Sequence, residues 1–229
     1  MNDRVISYLE MCRRENSSLQ KGMNFALGGT HSVILMSLRR NAPYRDQLED
    51  DGTTLIYEGH DQPRGTGDSD PKALNQLERL SSGALTENGK FHYAAQGAKS
   101  GKRAPEKVRV YERIHQGIWS YNGTFHLVDS WQEQDGPRSV FKFRLVAVEE
   151  DTDAGISQSA APAPRRIIPT SIKLEVWKRD GGKCVICGAA DKLHFDHDLP
   201  WSKGGASVTA ANVQLLCARH NLQKSDRIL

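Results

Sequence analysis

The sequence is poor in cysteine, in aromatic side chains and in long apolar runs, and each shortage excludes something. Only four cysteines stand in 229 residues: Cys12, Cys184, Cys187 and Cys217. Three fall in the last quarter, so a disulfide framework spread over the chain is excluded, and the clustering suggests metal ligation in a reducing compartment. Cys12 stands alone and reads as an ordinary thiol. No run of about 18 apolar residues occurs, so no transmembrane helix and no membrane partner are expected. The opening MNDRVISYLEMCRREN is charged and lacks the unbroken apolar stretch of a secretory leader. The expectation is a soluble cytoplasmic protein.

What is present is enough to fold. Hydrophobic residues make up 38% of the chain, which excludes a mostly disordered protein. The net charge is only +3 but unevenly placed. Residues 165–229 hold 11 Lys and Arg against 6 Asp and Glu, whereas residues 1–164 hold 20 against 22. A basic C-terminal unit fits a polyanionic partner.

Periodicity divides the chain. Residues 2–20 read as a short amphipathic helix, with Val5, Ile6, Leu9 and Cys12 at helical spacing. The runs at 33–38 and 53–59 read as strands. Residues 70–80 read as a helix capped by Asp70 with Pro71 at its first position. The alternating stretches 106–114, 123–133 and 139–149 read as half-buried antiparallel strands. Residues 1–150 therefore form a mostly β domain. Residues 151–166, rich in Ala, Pro and Ser, read as a flexible linker, and a second compact domain spans 167–229. The fold class expected is α+β in two domains.

The second domain carries the strongest chemistry. Cys184-Val-Ile-Cys187 is followed, 30 residues on, by Cys217-Ala-Arg-His220. Two pairs of soft ligands at knuckle spacing can close a tetrahedral Cys3His zinc site. A unit of about 60 residues has a thin core, and a structural zinc would staple it. Between the pairs lie the strand KLHFDH, a loop with Pro200 and Gly204-Gly205, the strand VQLLC and the helical ARHNLQKSDRIL. That order makes a ββα unit.

These residues resemble the HNH endonucleases, the ββα-metal family, over roughly 172–228. The resemblance rests on the two ligand pairs, Asp196-His197, the Pro and Gly-Gly that follow, Asn212, and the terminal Asn221 and Lys224. It implies phosphodiester hydrolysis, which requires an activated water and a cation on the developing charge. A histidine titrates near neutrality and suits the base, so His197 takes that role. The resemblance implies that Asp196 and Asn221 hold a divalent cation, Mg2+ or Mn2+, that Asn212 orients His197 and that Lys224 touches a DNA phosphate. Asn221 stands where the family name has a second histidine; its oxygen keeps hard cations plausible. His194 reads as strand surface.

The first domain resembles the SRA (YDG) domain, a PUA-like β-barrel, over about 20–149. The resemblance is carried by DDGTTLIYEG, like the family's Asp-x-Gly…Tyr-x-Gly segment, and by YNGTFHLVDSW, with Asn122 in place of the Asp of Tyr-Asp-Gly. It implies a pocket for a modified cytosine flipped from double-stranded DNA, with aromatic faces to stack on and a carboxylate to read the base edge. Tyr57 matches the stacking tyrosine; Tyr44 and Asp46 stand upstream where a second tyrosine and the aspartate are expected.

Together these resemblances imply a type IV-like, modification-dependent endonuclease. It would read 5-methylcytosine or 5-hydroxymethylcytosine and restrict phage DNA in a bacterial cytoplasm, as a homodimer if both strands are cut. The competing reading is a non-catalytic reader of modified DNA whose zinc unit only binds DNA.

Overall fold

The computed structural model describes residues 3–49, 52–63, 70–148, 167–198 and 209–224. The expected linker 151–166 lies outside them, as do Asp50, Asp51, the loop with Pro200 and Gly204-Gly205, and residues 225–229.

The first turn of the chain corrects the sequence reading. Residues 4–7 are not helical. They form strand β1 (Arg4–Ser7), and only then does helix α1 (Tyr8–Arg14) begin. The switch is dictated locally by a capping box. The Ser7 side chain accepts from the Glu10 amide at 3.3 Å, and the Glu10 carboxylate accepts from the Ser7 amide at 3.0 Å.

The remaining strands of the N-terminal unit are β2 (Met23–Leu27), β3 (His31–Met36), β4 (Gln47–Leu48), β5 (Thr54–Glu58), β6 (Glu106–His115), β7 (Ile118–Asp135) and β8 (Arg138–Ala147). The alternating segments thus fold as expected, as strands. Strand β7 is the spine. Its first part pairs with β1 on one edge and β6 on the other, and its second part pairs with β8, which continues to β5 and β4. The β3–β6 pair is parallel and the others are antiparallel. Between Val110 and Tyr111 the β6–β7 register shifts. The partners Val110–Gly123 and Tyr111–Tyr121 leave Asn122 as the extra residue of a bulge, and Gly123 supplies the positive φ of +98°.

Two other expectations change. The 70–80 segment makes only a 3-10 turn at Pro71–Ala73, capped by Asp70. Beyond it the backbone is drawn to the sheet, with the Gln76 amide donating to the Ser139 carbonyl at 2.9 Å. The main helix of the unit is α2 (Glu87–Lys99), which the periodicity did not reveal. Thr86 caps it, and it buries Phe91, Ala94 and Ala95 against the sheet in one core with Ile34, Leu55, Phe125, Phe141 and Phe143.

The C-terminal unit comprises α3 (Thr170–Arg179), β9 (Leu193–His197), a 3-10 turn at Ala210–Asn212, β10 (Val213–Cys217) and α4 (Ala218–Lys224). Its core joins Ile172, Val176, Leu193, Phe195, Leu215 and Leu216. The two units are docked. Strand β1 bridges to β9 at Arg4–His194, so β10, β9, β1 and β7 run in one sheet. Ile167 sits in the N-terminal core and Ile168 in the C-terminal one.

A buried polar cluster seals the seam. The Lys173 ammonium of α3, with no exposed surface, donates to Glu112 at 2.9 Å and to the bulged Asn122 at 2.7 Å. The Thr170 hydroxyl also donates to Glu112, and the Asn122 amide does so at 3.0 Å. Among the described residues, no helix is long and apolar enough to cross a membrane.

Candidate functional site

The Cys3His set converges. The His220 Nδ1 atom lies 3.3 Å from Cys184 Sγ and 3.4 Å from Cys217 Sγ, and Cys187 Sγ lies 3.8 Å from Cys217 Sγ. All four ligand atoms fall within 4.8 Å of one another. Zinc bonds of roughly 2.3 Å to sulfur and 2.0 Å to nitrogen give tetrahedral edges of about 3.8 and 3.5 Å. The residues present therefore fit a tetrahedral ion. The knuckle is built by backbone: the Gly188 amide donates to the Cys184 carbonyl at 2.8 Å, and Gly188 holds a φ of +72°. Burial pushes the Cys184 thiol up, but the amides of Cys217, Cys187 and Ile186 outweigh it and bring the thiol down to about 6.

Next to the cluster, the β9–β10 hairpin and α4 hold the other polar residues. His197 stands opposite Val213, and Asp196 opposite Gln214. The Asp198 amide donates to the Asn212 carbonyl at 2.9 Å, fixing the 3-10 turn against the end of β9. Helix α4 begins directly after Cys217, so His220 reaches the cluster, and Asn221 and Lys224 follow within the next helical turn. The Lys224 ammonium is buried and lies 2.5 Å from the Asp196 carboxylate. It also donates to the His197 carbonyl. Burial raises the Asp196 carboxyl above its ordinary range, and the Lys224 charge opposes part of that rise.

The N-terminal unit opens a cavity of about 520 Å³ lined by Arg39, Tyr44, Asp46, His60, Arg113 and Trp119. The Tyr44 and His60 rings stack, 5.1 Å between centroids at 12°. The Lys72 ammonium lies 4.1 Å from the Tyr44 ring centre. Burial lowers the His60 imidazole to about 4, so it is neutral at neutral pH. The Asp46 carboxylate accepts from the amides of Ser37 at 3.2 Å and Glu58 at 3.1 Å. Burial still pushes it up to about 7, further helped by the Glu58 charge.

Residues 184–227 match the family model described as HNH endonuclease. That match falls within the C-terminal unit and spans the Cys3His set. No curated protein matches the chain. Among solved structures, the chain is similar to an SUVH5 SRA domain in complex with hemi-methylated CG DNA, at 21% identity and a TM-score of 0.44, over 66% of this chain and 90% of that one. A modification-dependent restriction endonuclease, TagI, aligns over 95% of this chain and 75% of its own at 20% identity and a TM-score of 0.39. KRYPTONITE in complex with mCHG DNA and SAH aligns over 69% and 34% at 18% identity and a TM-score of 0.41.

The C-terminal unit gathers its sequence-read residues unevenly. Asp196, His197 and Asn212 meet at the end of β9, and Asn221 lies one helical turn before Lys224. Lys224, expected at a DNA phosphate, is instead enclosed and paired with Asp196. His194, expected on the strand surface, is buried between β1 and β10. In the N-terminal unit Tyr44 and Asp46 do face one cavity, but Tyr57 is not a stacking face. It is fully buried in the main core, and only its hydroxyl reaches out, 3.0 Å from His60 Nε2. The ring that faces Tyr44 is His60. The only sequence signal for it was position, three residues after Tyr57 at the close of the Tyr-x-Gly segment.

Proposed function

We propose that the chain is a modification-dependent DNA endonuclease, with the N-terminal cavity reading a flipped 5-methylcytosine or 5-hydroxymethylcytosine and the HNH module hydrolysing a nearby phosphodiester. The observation that carries the reading is the pairing, in one docked body, of an HNH module with a cavity presenting an aromatic stack and a carboxyl poised near pH 7. A protonated Asp46 can donate to a ring nitrogen of the base and an ionised one can accept from its amino group. Tyr44 and His60, stacked on each other, form one aromatic wall of the cavity, and Arg39 and Arg113 set positive charge at the mouth for the DNA backbone.

In the HNH module Cys184, Cys187, Cys217 and His220 would hold a structural Zn2+. Asp196 and Asn221 offer a carboxylate and an amide oxygen, a donor set suited to Mg2+ or Mn2+. The Lys224 ammonium 2.5 Å from Asp196 supports a carboxylate that takes positive charge at this position. When bound, the divalent ion neutralises charge building on the phosphate. His197 would take the proton of the attacking water as its oxygen closes on phosphorus, while the bond from phosphorus to the leaving sugar oxygen breaks and that oxygen takes a proton from solvent. Asn212 and its turn hold the end of β9, and with it the base.

A second reading is favoured by the Lys224–Asp196 pair, which satisfies that carboxylate without an ion: a non-catalytic reader of modified DNA. One experiment separates the two. A duplex that is unmodified, methylated or hydroxymethylated is digested with Mg2+ or Mn2+ by the wild type and by His197→Ala. Cleavage confined to the modified duplexes and lost in the variant is expected; binding without nicking at any ion concentration establishes the reader instead. Cutting both strands requires two chains or two visits, and mass measured by light scattering on DNA tests the homodimer. Restriction of modified phage DNA in a bacterial cytoplasm is the role this activity would serve, and phage plating on cells carrying the His197→Ala chain would measure it.

A further inference from the structure

One cavity lies outside both sites. It measures about 350 Å³, sits where β1, α1, β9 and α4 meet, and is lined by Arg4, Arg14, Lys192, His194 and Ala218. Two of these residues belong to the N-terminal unit and three to the HNH module, so the cavity straddles the seam. Among the described residues, no carboxylate lines it. Three permanent cations around one small space repel each other, and the folded chain gives them little relief. Arg4 has Glu10 at 3.5 Å, but both side chains are a third to a half exposed, so that pair is weak. Arg14 lies 3.9 Å from Glu15, whose carboxylate already serves His31, Arg109 and Tyr111.

The cations are nevertheless held in place. The Arg14 guanidinium lies 3.8 Å over the Tyr121 ring. Lys192 keeps a left-handed backbone at φ +49°, and its carbonyl accepts from the Ala218 amide at 2.9 Å. A non-glycine residue in that region persists where the surroundings demand it. Arg4 stands directly across the β1–β9 ladder from His194. His194 and Asp196 are two residues apart and share a strand face, about 6.6 Å along β9.

We propose that this cavity seats a backbone phosphate of the DNA, close along the strand from the one presented to Asp196 and His197. It would clamp the duplex across both units. The identity of the polyanion rests on the nuclease reading above; the cationic seat itself does not.

The test measures binding of the full chain to one duplex, modified and unmodified, by fluorescence anisotropy across a salt series, comparing wild type with the double variant Arg14→Gln, Lys192→Gln. Loss of one phosphate contact lowers the slope of log K against log salt by about 0.9. A drop of at least that size, with about tenfold weaker binding at physiological salt and an unchanged melting temperature, is expected on both duplexes. If the double variant melts more than about 5 °C lower, Lys192→Gln alone, at an exposed side chain, carries the comparison. An unchanged slope overturns the proposal. So does a slope that holds while inorganic phosphate stabilises the wild type and not the variant, because the cavity is then a small-anion site. Equal binding of the two duplexes by both proteins, with the slope still falling, removes base reading and leaves the phosphate seat standing.

Discussion

Replacing Lys173 by Met removes the one cation from the sealed seam between the two units. The ammonium has no exposed surface, and neither does its partner Glu112 to any useful degree at 1%. Deleting one member of a buried ion pair costs about 3–5 kcal/mol because the other charge is stranded out of water. Here Glu112 keeps two neutral donors, Asn122 and Thr170, which places the expected loss near the lower end, about 3 kcal/mol. For a chain of this size each kcal/mol shifts the midpoint by about 2–4 °C, so the melting temperature should fall by about 6–12 °C. Met fills much of the lysine volume, so a cavity contributes little. The double variant Lys173→Met, Glu112→Gln should recover part of that loss, since Glu112 is then neutral, while the buried Asp3 carboxylate, 3.6 Å from the ammonium, still loses the Lys173 charge. Urea unfolding followed by tryptophan fluorescence measures both. A Lys173→Met chain within about 0.5 kcal/mol of the wild type, or a double variant less stable than the single, refutes the claim that this cluster holds the units together.

Three further outcomes are expected. Asp46 is raised from 3.8 to about 7 in the fold, so the folded state holds its proton more tightly than the unfolded chain. Its contribution to stability is complete below about pH 4 and lost as pH rises through about 7, and Asp46→Asn should flatten that part of a urea-unfolding pH profile. Cys217→Ser opens the Cys3His set; elemental analysis should find one tightly held metal per wild-type chain and none in the variant, with loss of amide protection confined to the C-terminal unit. Gly22→Ala places a Cβ 2.6 Å from His60 Nε2 and 3.1 Å from the Tyr57 hydroxyl, so it should push His60 off Tyr44 and weaken modified-base binding at least tenfold, read by anisotropy, with binding of unmodified DNA unchanged.

How much could be read from the sequence followed the range of the forces involved. The Cys3His set was legible because four ligands of one ion must recur at knuckle spacing, and the β6, β7 and β8 strands were legible because each buries one face. What escaped was set by distant partners. Val5 and Ile6 have helical spacing with Leu9, yet the open edges of β7 and β9 draw Arg4–Ser7 into a ladder. Helix α2 carries Gly89 and Gly97, which depress local propensity. Gly89 is needed there because any side chain would collide with the Glu78 carbonyl, and the helix is held by burying Phe91 rather than by its own sequence. Tyr57 fitted the pattern of a stacking residue, but strand alternation turns its ring into the core and leaves His60 at the surface of the cavity. Lys224 looked like a surface cation, and only the approach of α4 to β9 revealed Asp196 as its partner.

The ladder through β1 also has a consequence in time. The ribosome makes Arg4 about 190 residues before His194, which at about 5–20 residues per second is roughly 10–40 s. Through that interval β1 can settle on β7, but its second edge has nothing to pair with, and Lys173 has yet to meet Glu112. The C-terminal unit follows later and closes a ladder that the N-terminal unit has already begun, so for that interval the second edge of β1 is an open template to which any passing strand could add.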